Sequence, residues 1–216
     1  TSHGCALDKI TRRFMDSEST LSPEKAHLRR EMKRRRALLN EFERAYCSMH
    51  VCNALWDFLQ SNAHLWESAP IAIYLARPYE LSLDPFAQRL LHNGLEIAAP
   101  RLDLERGVMQ FWRLRSLEHV ELGPWNVREP ISDTLAHPRL VIMPGLAFDT
   151  TGARLGTGGG WYDKTLAAMR ENGEEPVKIG VCFNNQLVEN IPCEPHDFRV
   201  DYLAQGENFF RCTPNN

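Results

Sequence analysis

Apolar residues recur along the chain in two rhythms. From residue 23 to residue 46, Leu28, Met32, Leu39, Phe42 and Tyr46 fall at near-helical spacing, which predicts one or two amphipathic helices. Ser22 before Pro23 reads as a cap followed by a first-turn residue. Asn40 with Glu43 three positions later marks a second helix start. From residue 70 the pattern changes. Pro70 to Leu75 is a short apolar strand bounded by turn residues. Asp84-Pro85 opens a helix through Leu91 that Gly94 closes, and Leu95 to Ala99 is a strand stopped by Pro100. Such a strand–helix–strand unit implies parallel pairing. Met109 to Leu114 is a further strand, and residues 123–138, rich in proline and glycine, read as a long loop. A buried strand at Arg139 to Met143, a helix from Tyr162 to Arg170 and a central strand at Val177 to Phe183 complete the pattern. The alternation sets the class as α/β: a layered, largely parallel sheet flanked by helices, in a single domain with an N-terminal helical segment. Residues 1–21 are polar and aperiodic and are expected to form a flexible arm before a domain at 22–210, with 211–216 as a tail.

Composition narrows the function classes. A chain of 216 residues can bury a substantial core as one domain. Its formal net charge of −3 argues against a polyanion binder, so no nucleic acid is expected as partner. No apolar run approaches the roughly 20 residues that span a bilayer, so no membrane association is expected. The six cysteines form no C-x-x-C pair and no zinc-ligand spacing, which points to a reducing, cytoplasmic compartment. A monomer is favoured.

The most informative segment is Pro144 to Asp163. Four glycines occupy Gly156, Gly158, Gly159 and Gly160, between a buried strand and a helix. Glycines let backbone N–H groups approach an anion, and the helix N-terminus adds its positive dipole end. A Walker loop would end in Gly-Lys-Ser/Thr, whereas Trp161 follows Gly160; a G-x-G-x-x-G count from Gly156 ends on Trp161 as well. Glycines alone would leave a surface turn as the simpler account. Arg154 before them and Asp163 after them add a phosphate partner and a metal-ligand candidate.

The string "MPGLAFDTTGARLGTGGGWYDKTLA" resembles the signature of the 5-formyltetrahydrofolate cyclo-ligase family. So do, in the same order, "EKAHLRREMKRR", "IYLARPYELSLDP", "GLEIAAPRL", "MQFWRL", "WNVREP" and "NIPCEPHDFRVD". The match runs over about residues 23–205. The family often has an aromatic residue where Thr157 stands, and Tyr or Phe where Trp161 stands.

The resemblance implies an α/β layered fold and an ATP- and Mg²⁺-dependent ring closure of 5-formyltetrahydrofolate, with or without a polyglutamate tail, to 5,10-methenyltetrahydrofolate. ATP phosphorylates the formyl oxygen, N10 attacks the activated carbon, and phosphate leaves. It implies nucleotide contacts from Lys25, Arg29, Arg154, Gly156, Thr157, Gly158, Gly159, Gly160, Trp161 and Tyr162, of which Lys25, Arg154 and Tyr162 would act on the reacting phosphate. It implies folate contacts from Leu75, Glu80, Met109, Trp125 and Trp161, and Mg²⁺ ligands at Asp163 and Asp197. Each has a plainer alternative. Lys25 and Arg29 would make a solvated basic face, Glu80 an exposed loop carboxylate, Asp163 a helix cap and Asp197 a turn residue. Leu75, Met109 and Trp125 could be core. The run Lys33 to Arg36 is assigned to solvent or to steering of a polyanionic substrate, and His196 to no special role. A relative that keeps the nucleotide loop but works as an RNA-associated or regulatory binding module, and a sugar-phosphate isomerase or CoA-transferase-like enzyme on a similar sheet, are the competing functions.

Overall fold

The computed structural model describes residues 22–195 and 197–213. The expectations for the arm at 1–21, for His196 and for the last three residues therefore lie outside the described residues.

Two helices open the fold: α1 (Pro23–Ala37) and α2 (Glu41–Ser61). Pro23 fills the first turn of α1, but Ser22 makes no side-chain cap bond; its carbonyl accepts the Ala26 N–H instead. Asn40 and Glu43 form the expected reciprocal box at the start of α2. The remaining elements are β1 (Ile71–Ala72), α3 (Asp84–His92), β2 (Ile97–Asp103), β3 (Val108–Leu114), β4 (Val120–Leu122), β5 (Arg128–Pro130), β6 (Leu140–Pro144), β7 (Ala147–Phe148), β8 (Arg154–Leu155), α4 (Trp161–Glu171), β9 (Val177–Cys182), β10 (Tyr202–Gln205) and β11 (Asn208–Arg211).

Seven strands form one sheet in the order β11-β10-β9-β6-β1-β2-β3. The five central strands pair in parallel, and β3 and β11 close the two edges antiparallel. Alternate residues serve two layers, as period-2 geometry requires. Leu140 and Ile142 face a core built with α2 and α3, while Val141 and Met143 face a second core built with Leu166 and Met169 of α4. Sheet faces covered on both sides explain why the central strands read as continuous apolar runs. Among the described residues no helix is long and apolar enough to cross a membrane.

Three boundary expectations change. The strand foreseen at 70–75 is paired only over Ile71–Ala72; beyond Ile73, whose N–H still reaches the Ala98 carbonyl, the chain leaves the sheet toward a turn at 77–80. Pro100 lies inside β2 instead of ending it. Residues two apart on a strand present N–H to the same side, and the Ala98 carbonyl faces β1, so the missing N–H of Pro100 points where β1 has already stopped. The long loop at 123–138 contains β5, which pairs with β4. At the C-terminal end, β11 carries the sheet to Arg211.

A third, smaller cluster places α1. Met32 is buried against Leu146, Ala147, Ala153, Leu155 and Ile191, on the β7–β8 hairpin and the segment before residue 195. The buried carboxylate of Asp149 organises that hairpin. One oxygen accepts the Thr151 N–H at 2.9 Å, the Thr151 hydroxyl at 2.6 Å and the Ala153 N–H at 3.1 Å; the other accepts the Ile191 N–H at 3.1 Å. Asp149→Asn keeps the size but puts an NH₂ group among N–H donors. It should cost roughly 2–4 kcal/mol, read as a lower urea midpoint at unchanged m-value. A midpoint equal to wild type would mean that the carboxylate does not hold the hairpin.

Candidate active site

A cavity of about 700 Å³ opens at the carboxyl ends of β1 and β6, where α/β sheets place their ligands. It gathers all sixteen candidate residues from five separated stretches of chain: Lys25 and Arg29; Leu75 and Glu80; Met109 and Trp125; Arg154 through Asp163; and Asp197.

On one flank, α1 meets the glycine loop. Lys25 is only 4 % exposed, which excludes the solvated-face account. Its ammonium lies 2.6 Å from Asp197 Oδ2 and 3.5 Å from Glu194 Oε2. Arg29 Nε donates to the Gly156 carbonyl at 3.0 Å. Arg154 Nη2 donates to Asp163 Oδ2 at 3.1 Å and Nη1 to the Pro144 carbonyl at 3.3 Å, while the guanidinium lies 5.2 Å from the centre of the Tyr162 ring. Arg154 Nε is buried without a hydrogen-bond partner, so an anion entering here would meet a donor still to be satisfied. Gly160 caps α4 in the left-handed region, at φ +64°, which a side chain would resist. That cap turns the helix N-terminus at Trp161 into the cavity wall. Asp163 is therefore not the cap; it lies in the first turn, paired with Arg154 and accepting the Phe198 N–H. Thr157 sits exposed at the rim.

On the other flank, Glu80 has a side chain only 6 % exposed, so it is no surface loop carboxylate. Arg77 grips it with its backbone N–H at 2.9 Å, Nε at 3.1 Å and Nη2 at 2.7 Å. Arg36 Nη1 lies 3.8 Å away. Of the 33–36 run, assigned to solvent or to steering of a polyanionic substrate, Lys33 and Arg34 are exposed, but Arg36 departs from the solvent account: it turns inward and lines the cavity. Burial pushes its pKa down and Glu80 opposes the shift. Leu75 and Met109 are buried walls, whereas Trp125 is 44 % exposed and leans on Trp161 with ring centres 6.0 Å apart. Trp125 is thus a rim residue, not core. Arg36, Arg77, Tyr74 and Glu194 are cavity residues that sequence reasoning passed over. For Arg36 a signal existed, since Lys25, Arg29, Met32 and Arg36 share one helical stripe.

Burial raises the Tyr162 phenol well above its ordinary value, with Arg154 opposing; Tyr74 is raised in the same way, with Glu80 adding to the effect. Both groups hold their protons more tightly folded than unfolded, where tyrosine titrates near about 10. Their contribution to stability is complete below that pH and is lost as pH rises through the folded values. Tyr162→Phe should therefore flatten the alkaline limb of a urea-midpoint-against-pH curve above about pH 10. An alkaline limb as steep as wild type would contradict the raised phenol.

The match to the 5-formyltetrahydrofolate cyclo-ligase family model covers residues 21–205. The chain is 28 % identical over 200 residues to a mouse protein named 5-formyltetrahydrofolate cyclo-ligase, spanning 88 % of this chain and 97 % of that one. It is 32 % identical over 133 residues to the protein of the same name from Escherichia coli K12, covering 59 % and 72 %. The solution structure of Aquifex aeolicus 5,10-methenyltetrahydrofolate synthetase superposes with a TM-score of 0.71 at 27 % identity, over 89 % of this chain and 94 % of that one. With matched motifs folded into a single cavity and a family match over nearly the whole domain, the chain belongs to the 5-formyltetrahydrofolate cyclo-ligase family of enzymes.

Proposed function

We propose that the protein converts 5-formyltetrahydrofolate to 5,10-methenyltetrahydrofolate at the expense of ATP, releasing ADP and phosphate. One observation carries the proposal. The cavity joins a cationic, glycine-lined flank at a helix N-terminus to a carboxylate-and-aromatic flank, so a nucleotide and a folate can meet in one enclosure.

A formyl oxygen on N5 is a poor leaving group, and phosphorylation makes it a good one. Lys25, Arg29 and Arg154 would hold the phosphates, together with N–H groups of Gly156, Gly158, Gly159 and Gly160, and neutralise the charge that moves with the phosphoryl group. Thr157, Trp161 and Tyr162 would close the nucleotide wall. Burial raises the Tyr162 phenol above its ordinary value, so the part proposed for it would be donation to a phosphate oxygen. Glu80 would accept from the pterin ring N–H and amino groups, between walls made by Leu75, Met109, Trp125 and Trp161. The enclosure then presents N10 to the activated carbon by proximity.

The donor set suits Mg²⁺. Asp163 and Asp197 are hard oxygen donors on the phosphate flank, each charge-matched by a cation, Arg154 or Lys25, that can turn to phosphate. No group of three or more metal-binding side chains converges among the described residues, so the remaining ligands would be phosphate oxygens and water. Held by Asp163 and Asp197, Mg²⁺ would supply neutralisation of the negative charge on the transferring phosphoryl group. Described cysteines are free thiols, in keeping with a reducing compartment such as the cytoplasm.

The direct experiment mixes protein, ATP, Mg²⁺ and 5-formyltetrahydrofolate and follows the ultraviolet band of the methenyl product together with ADP. Product should require both ATP and Mg²⁺. Product without nucleotide would overturn the phosphorylation route, and folate-independent ADP release alone would favour a different activity.

Substitutions should separate the flanks. Glu80→Ala should cost about 1–3 kcal/mol in kcat/KM for folate and leave ATP binding nearly untouched. Lys25→Ala should lose about tenfold or more in kcat/KM for ATP, about 1.4 kcal/mol. Since Lys25 also neutralises two carboxylates, its variant should be less stable as well, and rates are compared on protein shown folded by circular dichroism. Lys33→Ala, exposed on the same helix, should match wild type. Equal effects at Lys25 and Lys33 would dissolve the two-segment phosphate site.

A further inference from the structure

Trp125 has an unusual support. It and Asn126 both adopt positive φ, +55° and +56°, inside a tight turn between β4 and β5. Two consecutive non-glycine residues in the left-handed region are disfavoured on steric grounds and persist only where surroundings over-determine them. The turn closes through the Gly123 N–H on the Val127 carbonyl at 2.9 Å and the Val127 N–H on the Pro124 carbonyl at 3.2 Å. Below it lies Glu129, only 5 % exposed.

The Glu129 carboxylate does two things. One oxygen accepts the Leu102 N–H of β2 at 2.9 Å. The carboxyl group also presses on Gly123 so closely that a Cβ there would lie 2.3 Å from its carbon and 2.5 and 2.7 Å from its oxygens. A side chain at 123 would therefore have to displace the Glu129 carboxylate. Leu102 is the strand partner of Met109, and both line the cavity, as do Val127 and Trp125. The carboxylate therefore registers the turn against the strand pair that forms the apolar flank. Arg128 adds an outer anchor with two bonds to Asp84 at the start of α3, at 2.9 and 3.2 Å.

We infer that Glu129 is a positioning residue for folate binding: it clamps the 123–127 turn to β2 and so fixes the Trp125 indole against Trp161 at the pterin side of the cavity. This rests on the proposal that Trp125 faces folate. Burying a carboxylate is costly, and a hydrophobic residue would fill the space under the turn. What it could not do is accept the Leu102 N–H while holding Gly123 at contact distance. Burial raises the Glu129 pKa, with the Leu102 N–H and Arg101 opposing, so the site pays for a group that packing alone does not need.

The test compares Glu129→Ala, Glu129→Gln and Gly123→Ala, each with and without Trp125→Phe, so that the Trp125 fluorescence is obtained by difference. Acrylamide quenching of that component is measured on the free protein, and KM is measured for 5-formyltetrahydrofolate and for ATP. Glu129→Ala and Gly123→Ala should expose the indole to quencher and raise the folate KM on the order of tenfold, with the ATP KM within about twofold. Glu129→Gln keeps the shape and the acceptor oxygen and should stay within about twofold of wild type on every readout. Folded Glu129→Ala and Gly123→Ala with wild-type quenching and folate KM would overturn the positioning role. A uniform change in both KM values would do so too, marking a general loss of structure. If Glu129→Ala does not fold, Gly123→Ala decides alone. Should Trp125→Phe leave the folate KM unchanged, the assignment of Trp125 to folate fails, while the quenching comparison still decides whether Glu129 holds the turn.

Discussion

The buried carboxylate of Asp149 is the interaction on which the glycine-loop flank of the cavity depends. The flank is made from segments that share no secondary structure: α1, the loop after β8, and the stretch through Glu194 and Asp197. Asp149 gathers two of them with one side chain, closing the β7–β8 hairpin through Thr151 and Ala153 and drawing Ile191 to it. Arg154 follows Ala153 directly, and Glu194 lies three residues beyond Ile191. The surface so formed receives Met32, which seats the third segment, α1. A carboxylate suits the task because it accepts several N–H bonds at once, where an amide would offer a donor in the wrong place.

Several cations of the cavity face carboxylates: the buried Lys25 faces Asp197 and Glu194, Arg154 faces Asp163, and Arg36 and the partly exposed Arg77 face Glu80, while Arg29 donates to the Gly156 carbonyl. Isolated, any of these would carry a desolvation cost of several kcal/mol. Pairing allows the ligand-free protein to keep them in place. Under the proposed function, ligand binding would be an exchange of partners: phosphate would replace a carboxylate on Lys25 or Arg154, and the displaced carboxylate would then be able to face a cation.

The sheet, the capping box at Asn40 and the glycine loop were legible in the sequence because each is set by local chemistry: apolar rhythm, a three-residue spacing, the absence of side chains. The strand at 70–75 reads longer than it is because apolar character persists after pairing stops; Ile73 keeps one bond to Ala98, while Tyr74 and Leu75 are buried in the cavity wall. Pro100 was misread because its missing N–H matters only where a partner strand runs alongside, and that is a fact of topology. Arg36 was hidden in a basic run whose members look alike until helical phase is applied. Asp149 and Glu129 were out of reach for a deeper reason. Glu129 meets the N–H of Leu102, and Asp149, beyond its local bonds to Thr151 and Ala153, meets the N–H of Ile191; a backbone partner distant in sequence leaves no mark in the residue types.

Helix phase also explains how one element can serve both flanks. Lys25, Arg29 and Arg36 lie on the same stripe as Met32, so the residue that anchors α1 sits between cations facing the glycine loop and the one facing Glu80. Eleven residues of helix at 1.5 Å each separate Lys25 from Arg36 by about 16 Å. That is enough for the two ends to address opposite sides of one cavity. The ion pairs at its ends share no member: Lys25 is held by Glu194 and Asp197, Arg36 by Glu80. Under the proposed function, a partner exchange at Lys25 would reach Arg36 through the position of α1, which Met32 holds against the hairpin that Asp149 closes.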